Sequence, residues 1–557
     1  MIKTNSLRGA IRKLFQLINL EKTEIKNIYI YAVLNGAIIL SLPLGIQAII
    51  NLMFGATVST SLIVMITLVV LGVLMNGVFQ IKQMRVIESL QQRIFTRLTF
   101  GYAYRIPKIN LQSIDRYYLP ELVNRFFDTA TLQKGLSKLL LDLPTATIQV
   151  LFGIILLGFY HPVFILFGIL LLALGIVIFY LSSSKGFHSS LEESDYKYQV
   201  AYWLEEMSRC IKTFKFNQQT DLHLKKTNSL VSGYITSRNK HFAVLIFQYR
   251  VIIGFKVIVT AAMLVLGAFL FINQIINLGQ FIATEIIIIT IINAMEKLII
   301  SLEVVYDVLT ALEKINKVLE KPQDNEEDAL IDLNNWESTK GINVVAKNLS
   351  FGFEGENLIL NNVNFSINAG EKICIKGIPA SGKSTLINTL TGMWPNYNGK
   401  LTINNIPLRN LSPTVLHQEI AFYLSEDELF YGTLLENITL GQKNVDFNEL
   451  QEIIELVGLS EFVSNKRKGL DIIIDPQGKK LSYNIAQKIL LARCFYKKPS
   501  LLLIEDGWMY IDEDSKNRII NYITSKNNLF TLIAISDDED FMAKCDRTYL
   551  IEKGTII

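Results

Sequence analysis

Gly377-Ile378-Pro379-Ala380-Ser381-Gly382-Lys383-Ser384-Thr385 is the stretch that decides how this chain is read. It fits the pattern G-x-x-x-x-G-K-[ST] at every fixed position. Its flanks fit as well: Ile373-Cys374-Ile375 reads as a buried strand leading in, and Thr385–Leu390 as a helix leading out. Gly377 and Gly382 let the backbone turn tightly, so that its N–H groups converge on phosphate oxygens. The N-terminus of the following helix turns a partial positive charge toward the same anion. Lys383 is placed to reach the β- and γ-phosphates, and the Ser384 hydroxyl to hold Mg²⁺. The expected ligands are therefore a nucleoside triphosphate and Mg²⁺. The bland alternative, a glycine-rich turn that carries a lysine by chance, leaves the strand–loop–helix setting a coincidence.

Outward from this loop the composition changes sharply. Hydrophobic residues make up 50% of the 557-residue chain and charged ones only 19%, an apolar balance for a soluble protein. The excess lies before about Thr310, in runs near the twenty or so residues that cross a bilayer. These are Asn27–Phe54, Ser61–Gln80, Leu139–Phe159, Val163–Leu181, Ile252–Phe271 and Gly279–Ile300. The turns Gly55–Thr60, Tyr160–Pro162 and Ile272–Leu278 hold no Lys or Arg, whereas the other connections hold nearly all of it. The positive-inside rule then puts both long loops and both termini in the cytoplasm. Helical apolar spacing continues in Arg85–Tyr104 and Leu119–Gly135, which read as cytoplasmic extensions of membrane helices. A net charge of +3 gives no reason to expect nucleic acid as a partner. The four cysteines show neither CxxC spacing nor nearby histidine pairs and read as reduced packing residues.

The expected architecture is multi-domain: a six-helix, all-α transmembrane domain followed by an α/β P-loop nucleotide-binding domain. Residues 1–26 read as an amphipathic N-terminal helix at the membrane surface, since Lys3, Arg8, Arg12 and Lys13 interleave with Leu7, Ile11, Leu14, Phe15 and Ile18. Residues 27–319 form the membrane domain and 320–341 a polar, acidic linker. Residues 342–557 form the α/β domain, with strands expected at Ile342–Val345, Lys372–Ile375, Leu501–Ile504 and Leu532–Ile535. Within the spans Asn35, Gln47, Glu285 and Asn293 stand out, with Glu296 and Lys297 nearer the cytoplasmic edge. A carboxylate at membrane depth is costly, so Glu285 either lines a pathway or makes an interhelical hydrogen bond.

Six spans followed by a phosphate-loop domain resemble a half-size ABC exporter, and further stretches carry the same resemblance. Phe353 follows Leu349-Ser350-Phe351-Gly352, where the family places an aromatic on adenine. Leu429-Phe430-Tyr431-Gly432-Thr433-Leu434-Leu435-Glu436-Asn437-Ile438, Gln487–Arg493 and Leu501–Asp506 match family segments in order. Thr131–Gly135 and Tyr202–Glu206 are similar to the type I secretion branch, near the haemolysin exporters. The resemblance implies an ATP-binding subunit of an exporter in the bacterial inner membrane, embedded in the bilayer and paired with a second half-transporter as a homo- or heterodimer. A periplasmic adaptor protein and a polypeptide cargo are further implications. Loop tips at Asn110–Leu119 or Glu206–Gln219 would meet the cytoplasmic domain.

The departures from the family pattern matter as much as the matches. The signature LSGGQ here reads Leu481-Ser482-Tyr483-Asn484-Ile485, leaving Ser482 as a donor to the partner's γ-phosphate. Glu505 stands at the metal-binding carboxylate and Asp506, one methylene short, at the general base. Asp537 replaces the switch histidine, and the glutamine that touches Mg²⁺ becomes Ser425 or Glu426. Two functions remain open on sequence: an ATP-hydrolysing export subunit, or a barely hydrolytic, nucleotide-gated partner of an intact one.

Overall fold

A run such as Ser61–Gln80 has too few polar side chains to satisfy its own backbone in lipid. Only a helix meets every N–H and C=O within one segment. The computed structural model describes residues 7–54, 59–114, 119–217, 219–324, 341–353, 355, 357–424, 428–465, 467–505 and 508–557. The chain divides into two compact units, Met1–Lys108 with Arg116–Lys321 and Ile109–Asp115 with Pro322–Ile557.

In the first unit α1 is Leu7–Asn19, α2 Lys22–Met53, α3 Thr60–Arg105, α4 Leu119–Val123 and α5 Asp128–Tyr160. Then come α6 Pro162–Arg209, α7 Ile211–Phe216, α8 Leu222–Ile272 and α9 Leu278–Leu319. The extension expected at Arg85–Tyr104 is an unbroken continuation of α3, and α6, α8 and α9 likewise run on past their apolar spans, whereas the one expected over Leu119–Gly135 is broken into α4, a 3-10 turn at Asn124–Phe127 and the start of α5. Pro43 and Pro144 sit inside α2 and α5 without ending them. Among the described residues five helices are long and apolar enough to cross a membrane: α2, α3, the stretch Leu119–Tyr160, α6 and α8. The sixth long helix, α9, carries Glu285, Glu296 and Lys297 and is buried along much of its length, from Gly279 to Val318. It packs against α5, where Val150, Leu157, Ile287 and Ile291 share one core. On α3, Ile63, Leu68, Val70 and Leu74 all point outward, which water would penalise and lipid does not.

The N-terminal helix spends part of its apolar side on protein. Leu7, Ala10, Ile11 and Leu14 pack with Phe187, Leu302 and Tyr306, and Lys13 bonds to Glu313 at 3.3 Å and Glu320 at 2.9 Å. Phe15 and Leu20 stay exposed.

The second unit carries two larger sheets. A four-stranded antiparallel sheet runs in the order β2-β1-β4-β5, with β1 Val344–Phe351, β2 Leu360–Ile367, β4 Asn398–Ile403 and β5 Ile406–Pro407. A six-stranded sheet runs β12-β11-β3-β10-β9-β6. Its members are β3 Lys372–Lys376, β6 Ile420–Tyr423, β9 Leu501–Glu505, β10 Thr531–Ile535, β11 Arg547–Glu552 and β12 Thr555–Ile556. From β11 to β6 its pairings are parallel. Its inner strands are buried on both faces, so they read as continuous apolar runs. A short pair, β7 Gly432–Thr433 and β8 Ile473–Ile474, stands apart. Segment Ile109–Asp115 also belongs to this unit: Asn110 N–H donates to the Pro322 carbonyl at 3.0 Å, and Asn396 Nδ2 donates to Gln112 Oε1 at 2.8 Å. The alternative tip, Glu206–Gln219, lies in the first unit.

Helix spacing in the first unit depends on absent side chains. A Cβ on Gly186 of α6 would lie 2.4 Å from the ring of Tyr306, which is 1% exposed and fixed by Gln248 Nε2 at 3.0 Å. Gly186→Val should therefore destabilise this unit by about 1–3 kcal/mol. Gly254→Ala, with nothing within 4 Å of its Cβ, should leave it unchanged or up to about 1 kcal/mol more stable. Thermal unfolding in detergent reads both: the midpoint must drop for Gly186→Val alone.

Candidate functional site

Three parallel strands, β3, β10 and β9, lie side by side, with Ile535 in register with both Ile375 and Glu505. The segments that leave their C-terminal ends therefore meet at one edge of the sheet, where open α/β sheets place ligands. The loop 377–382 leaves β3, Glu505 ends β9, and Ser536 and Asp537 leave β10.

The loop has the backbone a phosphate cradle needs. A Cβ on Gly377 would lie 2.4 Å from the Ile551 carbonyl and 2.9 Å from Ser381 Oγ, so only glycine fits. Gly382 caps the helix Lys383–Leu390 in the left-handed region at φ 101°, and Ala380 shares that region at φ 62°. Ser381 is buried with its hydroxyl oxygen unbonded. The Lys383 ammonium folds back on the loop, donating to the Gly377 carbonyl and, at 2.9 Å, to that of Ile378. Ser384 Oγ donates to Glu505 Oε1 at 2.5 Å. Hydroxyl and carboxylate thus form the hard, oxygen-only donor set that suits Mg²⁺. Loop, ammonium and donors fit a magnesium triphosphate, with Lys383 and the loop N–H groups for the phosphates and Ser384 and Glu505 for the metal.

Beside the loop lies a cleft of about 660 Å³ that includes Asn357, Ile359, Ala380, Lys553 and Gly554. The β11–β12 turn is tied to the loop there, Gly554 N–H donating to the Ser381 carbonyl at 3.0 Å. Lys553 was not legible in the sequence, because it is remote from the loop and reaches it only through parallel pairing of β11 with β3. Phe353, expected on adenine, packs edge-on against Trp394 with ring centres 5.2 Å apart and against Phe351 at 5.3 Å.

The signature-like turn is organised by side chains. Ser482 caps helix Tyr483–Tyr496, accepting from Ile485 N–H at 3.3 Å. The Tyr483 ring meets Tyr510 edge-on with centres 4.6 Å apart, and both rings are largely solvated. Asn484 Nδ2 donates to Asp512 Oδ1 at 3.4 Å, an acid also held by Lys488 and by Ser515 N–H at 3.0 Å. Partial burial works against that charge, but the Lys488 and Ser515 bonds prevail and hold the Asp512 carboxyl well below the usual carboxylate range. A hydrogen bond from Lys516 lowers Asp538 in the same way. Asp537 is exposed at the end of β10. Asp506, Ser425 and Glu426, the expected base and metal-contacting positions, lie outside the described residues.

Loss of the loop ammonium should be felt directly. Lys383→Ala is expected to weaken ATP by on the order of ten- to a hundredfold, the range of a charge-assisted bond. Titration of a fluorescent ATP analogue into the solubilised protein measures it, and wild-type affinity would remove Lys383 from the site.

The chain matches the ABC transporter transmembrane region over residues 27–295 and the ABC transporter family over 360–507. It is 30% identical over 251 residues to a putative export ATP-binding/permease protein, RC1073, of Rickettsia conorii, covering 45% of this chain and 43% of that protein. It is 30% identical over 216 residues to the microcin-J25 export ATP-binding/permease protein McjD of Escherichia coli, covering 39% and 37%. The matched stretches thus span less than half the length of these relatives. The fold superposes on a bacterial Atm1-family ABC exporter with ATP bound, with a TM-score of 0.83 and 17% identity over 99% of this chain and 95% of that one. With a membrane region and a phosphate-loop domain on one polypeptide, both matched by ABC transporter models, the chain belongs to the ABC transporter family.

Proposed function

We propose that this chain is the ATP-binding subunit of an exporter that couples nucleotide-driven closure of two such subunits to passage of a substrate across the bacterial inner membrane. The observation that carries the proposal is the Ser384–Glu505 hydrogen bond at 2.5 Å beneath a loop that only glycine can form at position 377. ATP would lie with its triphosphate along 377–385, its nucleoside in the cleft by Ile359 and Lys553, and Phe353 at the base. Mg²⁺ would be held by Ser384 and Glu505, with Ser425 as a further contact, and would neutralise phosphate charge. Asp506 would serve as base and Asp537 as the switch residue. Ser482 would reach the γ-phosphate bound to the second half-transporter, since its oxygen takes the capping bond while its proton stays free to donate.

Connectivity supplies the coupling. The main chain runs from α3 into Ile109–Asp115 and on toward α4, so displacement of the ATP-binding unit pulls on two membrane helices. On α9, Asn293 and Lys297 are exposed one turn apart, and Glu296 pairs with Lys256 of α8 at 2.6 Å. Charge toward the cytoplasmic edge of the span favours a water-lined path over lipid contact. Polypeptide is the cargo class favoured by the secretion-branch stretches, with cytoplasmic termini and a periplasmic adaptor as the matching arrangement.

Purified protein should hydrolyse ATP, and Lys383→Ala should abolish turnover. The side chains at Tyr483 and Asn484 hold off the close backbone approach that glycines permit. Tyr483→Gly with Asn484→Gly should therefore raise the rate several-fold. A wild-type rate of about one per second or more establishes a self-sufficient subunit. A rate indistinguishable from Lys383→Ala, rescued only by a second ABC chain, establishes the nucleotide-gated partner instead.

A further inference from the structure

The junction of α1 and α2 is a short turn at Leu20–Glu21. Backbone bonds close it, Leu20 N–H to the Leu17 carbonyl at 3.3 Å and Glu21 N–H to that of Ile18 at 3.1 Å. Glu21 is 5% exposed, and its carboxylate is gripped from α3 by Arg97 at 2.8 Å and Arg93 at 3.4 Å. Arg93 also takes Glu24 at 2.6 Å. The acids of the elbow are thereby consumed by α3, whereas the cations on its other side keep their charge.

Between the two helices lies an open groove of about 520 Å³, lined by Arg12, Lys22 and Lys26 and by Phe15, Ile18 and Ile25, with no acidic residue on its wall. Arg12 and Phe15 share one face of α1, and Lys22, Ile25 and Lys26 one face of α2. No carboxylate pairs with these three cations among the described residues. Lys26 directly precedes the first apolar span at Asn27, so the groove lies where bilayer headgroups meet hydrocarbon. Three like charges lining one groove repel one another unless an anion joins them, and the apolar side chains in the same groove disfavour a fully hydrated one.

We propose that this groove seats one anionic phospholipid, its headgroup phosphate held by Arg12, Lys22 and Lys26 and its acyl chains laid along Phe15, Ile18 and Ile25. Surface cations add attraction for anionic headgroups, and basic pockets between membrane helices suit phosphate. The seat also explains why α1 does not lie wholly against protein: Phe15 is 63% exposed on the groove side. Bound lipid would fix the angle between α1 and the first span, and hence the purchase of Lys13 on Glu313 and Glu320.

The full-length protein in detergent, titrated with dioleoyl-phosphatidylglycerol and read by native mass spectrometry, tests this. One phosphatidylglycerol per chain should be retained, and dioleoyl-phosphatidylcholine at equal concentration should not be. Lys26→Gln should weaken binding about fivefold, and Arg12→Gln with Lys22→Gln and Lys26→Gln on the order of a hundredfold, as each surface cation's share implies. Arg12→Lys with Lys22→Arg and Lys26→Arg should bind as wild type. An unchanged thermal-unfolding midpoint in detergent shows that each variant's membrane unit is folded, and if that of the triple glutamine variant is not, Lys26→Gln alone decides. Equal retention of the two lipids overturns the proposal. So does displacement of the lipid by inorganic phosphate at matching concentration, or unchanged affinity in Lys26→Gln.

Discussion

Parallel pairing of β3 with β10 and of β10 with β9 is the constraint on which the chemistry of this protein rests. It aligns Ile375, Ile535 and Glu505 across three strands, so that the loop, the Glu505 carboxylate and Asp537 emerge at one sheet edge. A slip of one residue would turn Glu505 to the opposite face and break its bond to Ser384. The strands hold register because both faces are covered by apolar residues, with Leu502, Ile504, Leu532 and Ala534 in one core and Leu501, Leu503, Ile533 and Ile535 in the other.

The membrane unit answers to a different solvent. In lipid the exposed isoleucines, leucines and valines of α3 cost nothing, and backbone satisfaction dictates helix throughout. What shapes the unit is therefore packing at small residues, as where Gly135 meets Val308, Gly153 meets Ile291 and Gly186 meets Tyr306. Polar bonds add direction: Gln248, Ser182 and Tyr306 join α8, α6 and α9 in one buried cluster. At the first elbow Glu21 does the same for α2 and α3. Groups that water would have dispersed are tied to one another, whereas Arg12, Lys22 and Lys26 line the groove between α1 and α2 without a carboxylate partner among the described residues.

Sequence periodicity and length revealed the long helices and the central strands β3, β9 and β10, because burial on both faces or immersion in lipid writes an unbroken apolar run, whereas the strand expected at Ile342–Val345 lies later, as β1 Val344–Phe351 with one face open. The antiparallel strands β2, β4 and β5 went unseen. β2 is interrupted by Asn361, Asn362 and Asn364, β4 opens on Asn398-Gly399 and β5 is Ile406–Pro407 alone, so no period stands out. The loop 377–385 was legible because its spacing is local. Trp394 against Phe353 and Lys553 beside Ala380 were not, since each partner comes from a distant stretch. The N-terminal helix showed its amphipathic pattern, but not that Leu7, Ala10, Ile11 and Leu14 turn to protein while Phe15 does not.

The sequence by itself determined that this is a membrane-embedded chain with a phosphate-gripping domain, because span length, the sorting of lysine and arginine, and glycine spacing all act within a few turns of chain. Only the tertiary structure decided which side chains meet. It joined Ser384 to Glu505, tied Asn484 to Asp512, and spent Glu21 on Arg93 and Arg97 while leaving Arg12, Lys22 and Lys26 without a carboxylate among the described residues. Such pairings are set by strand order and helix packing, which bring together residues that no local pattern relates.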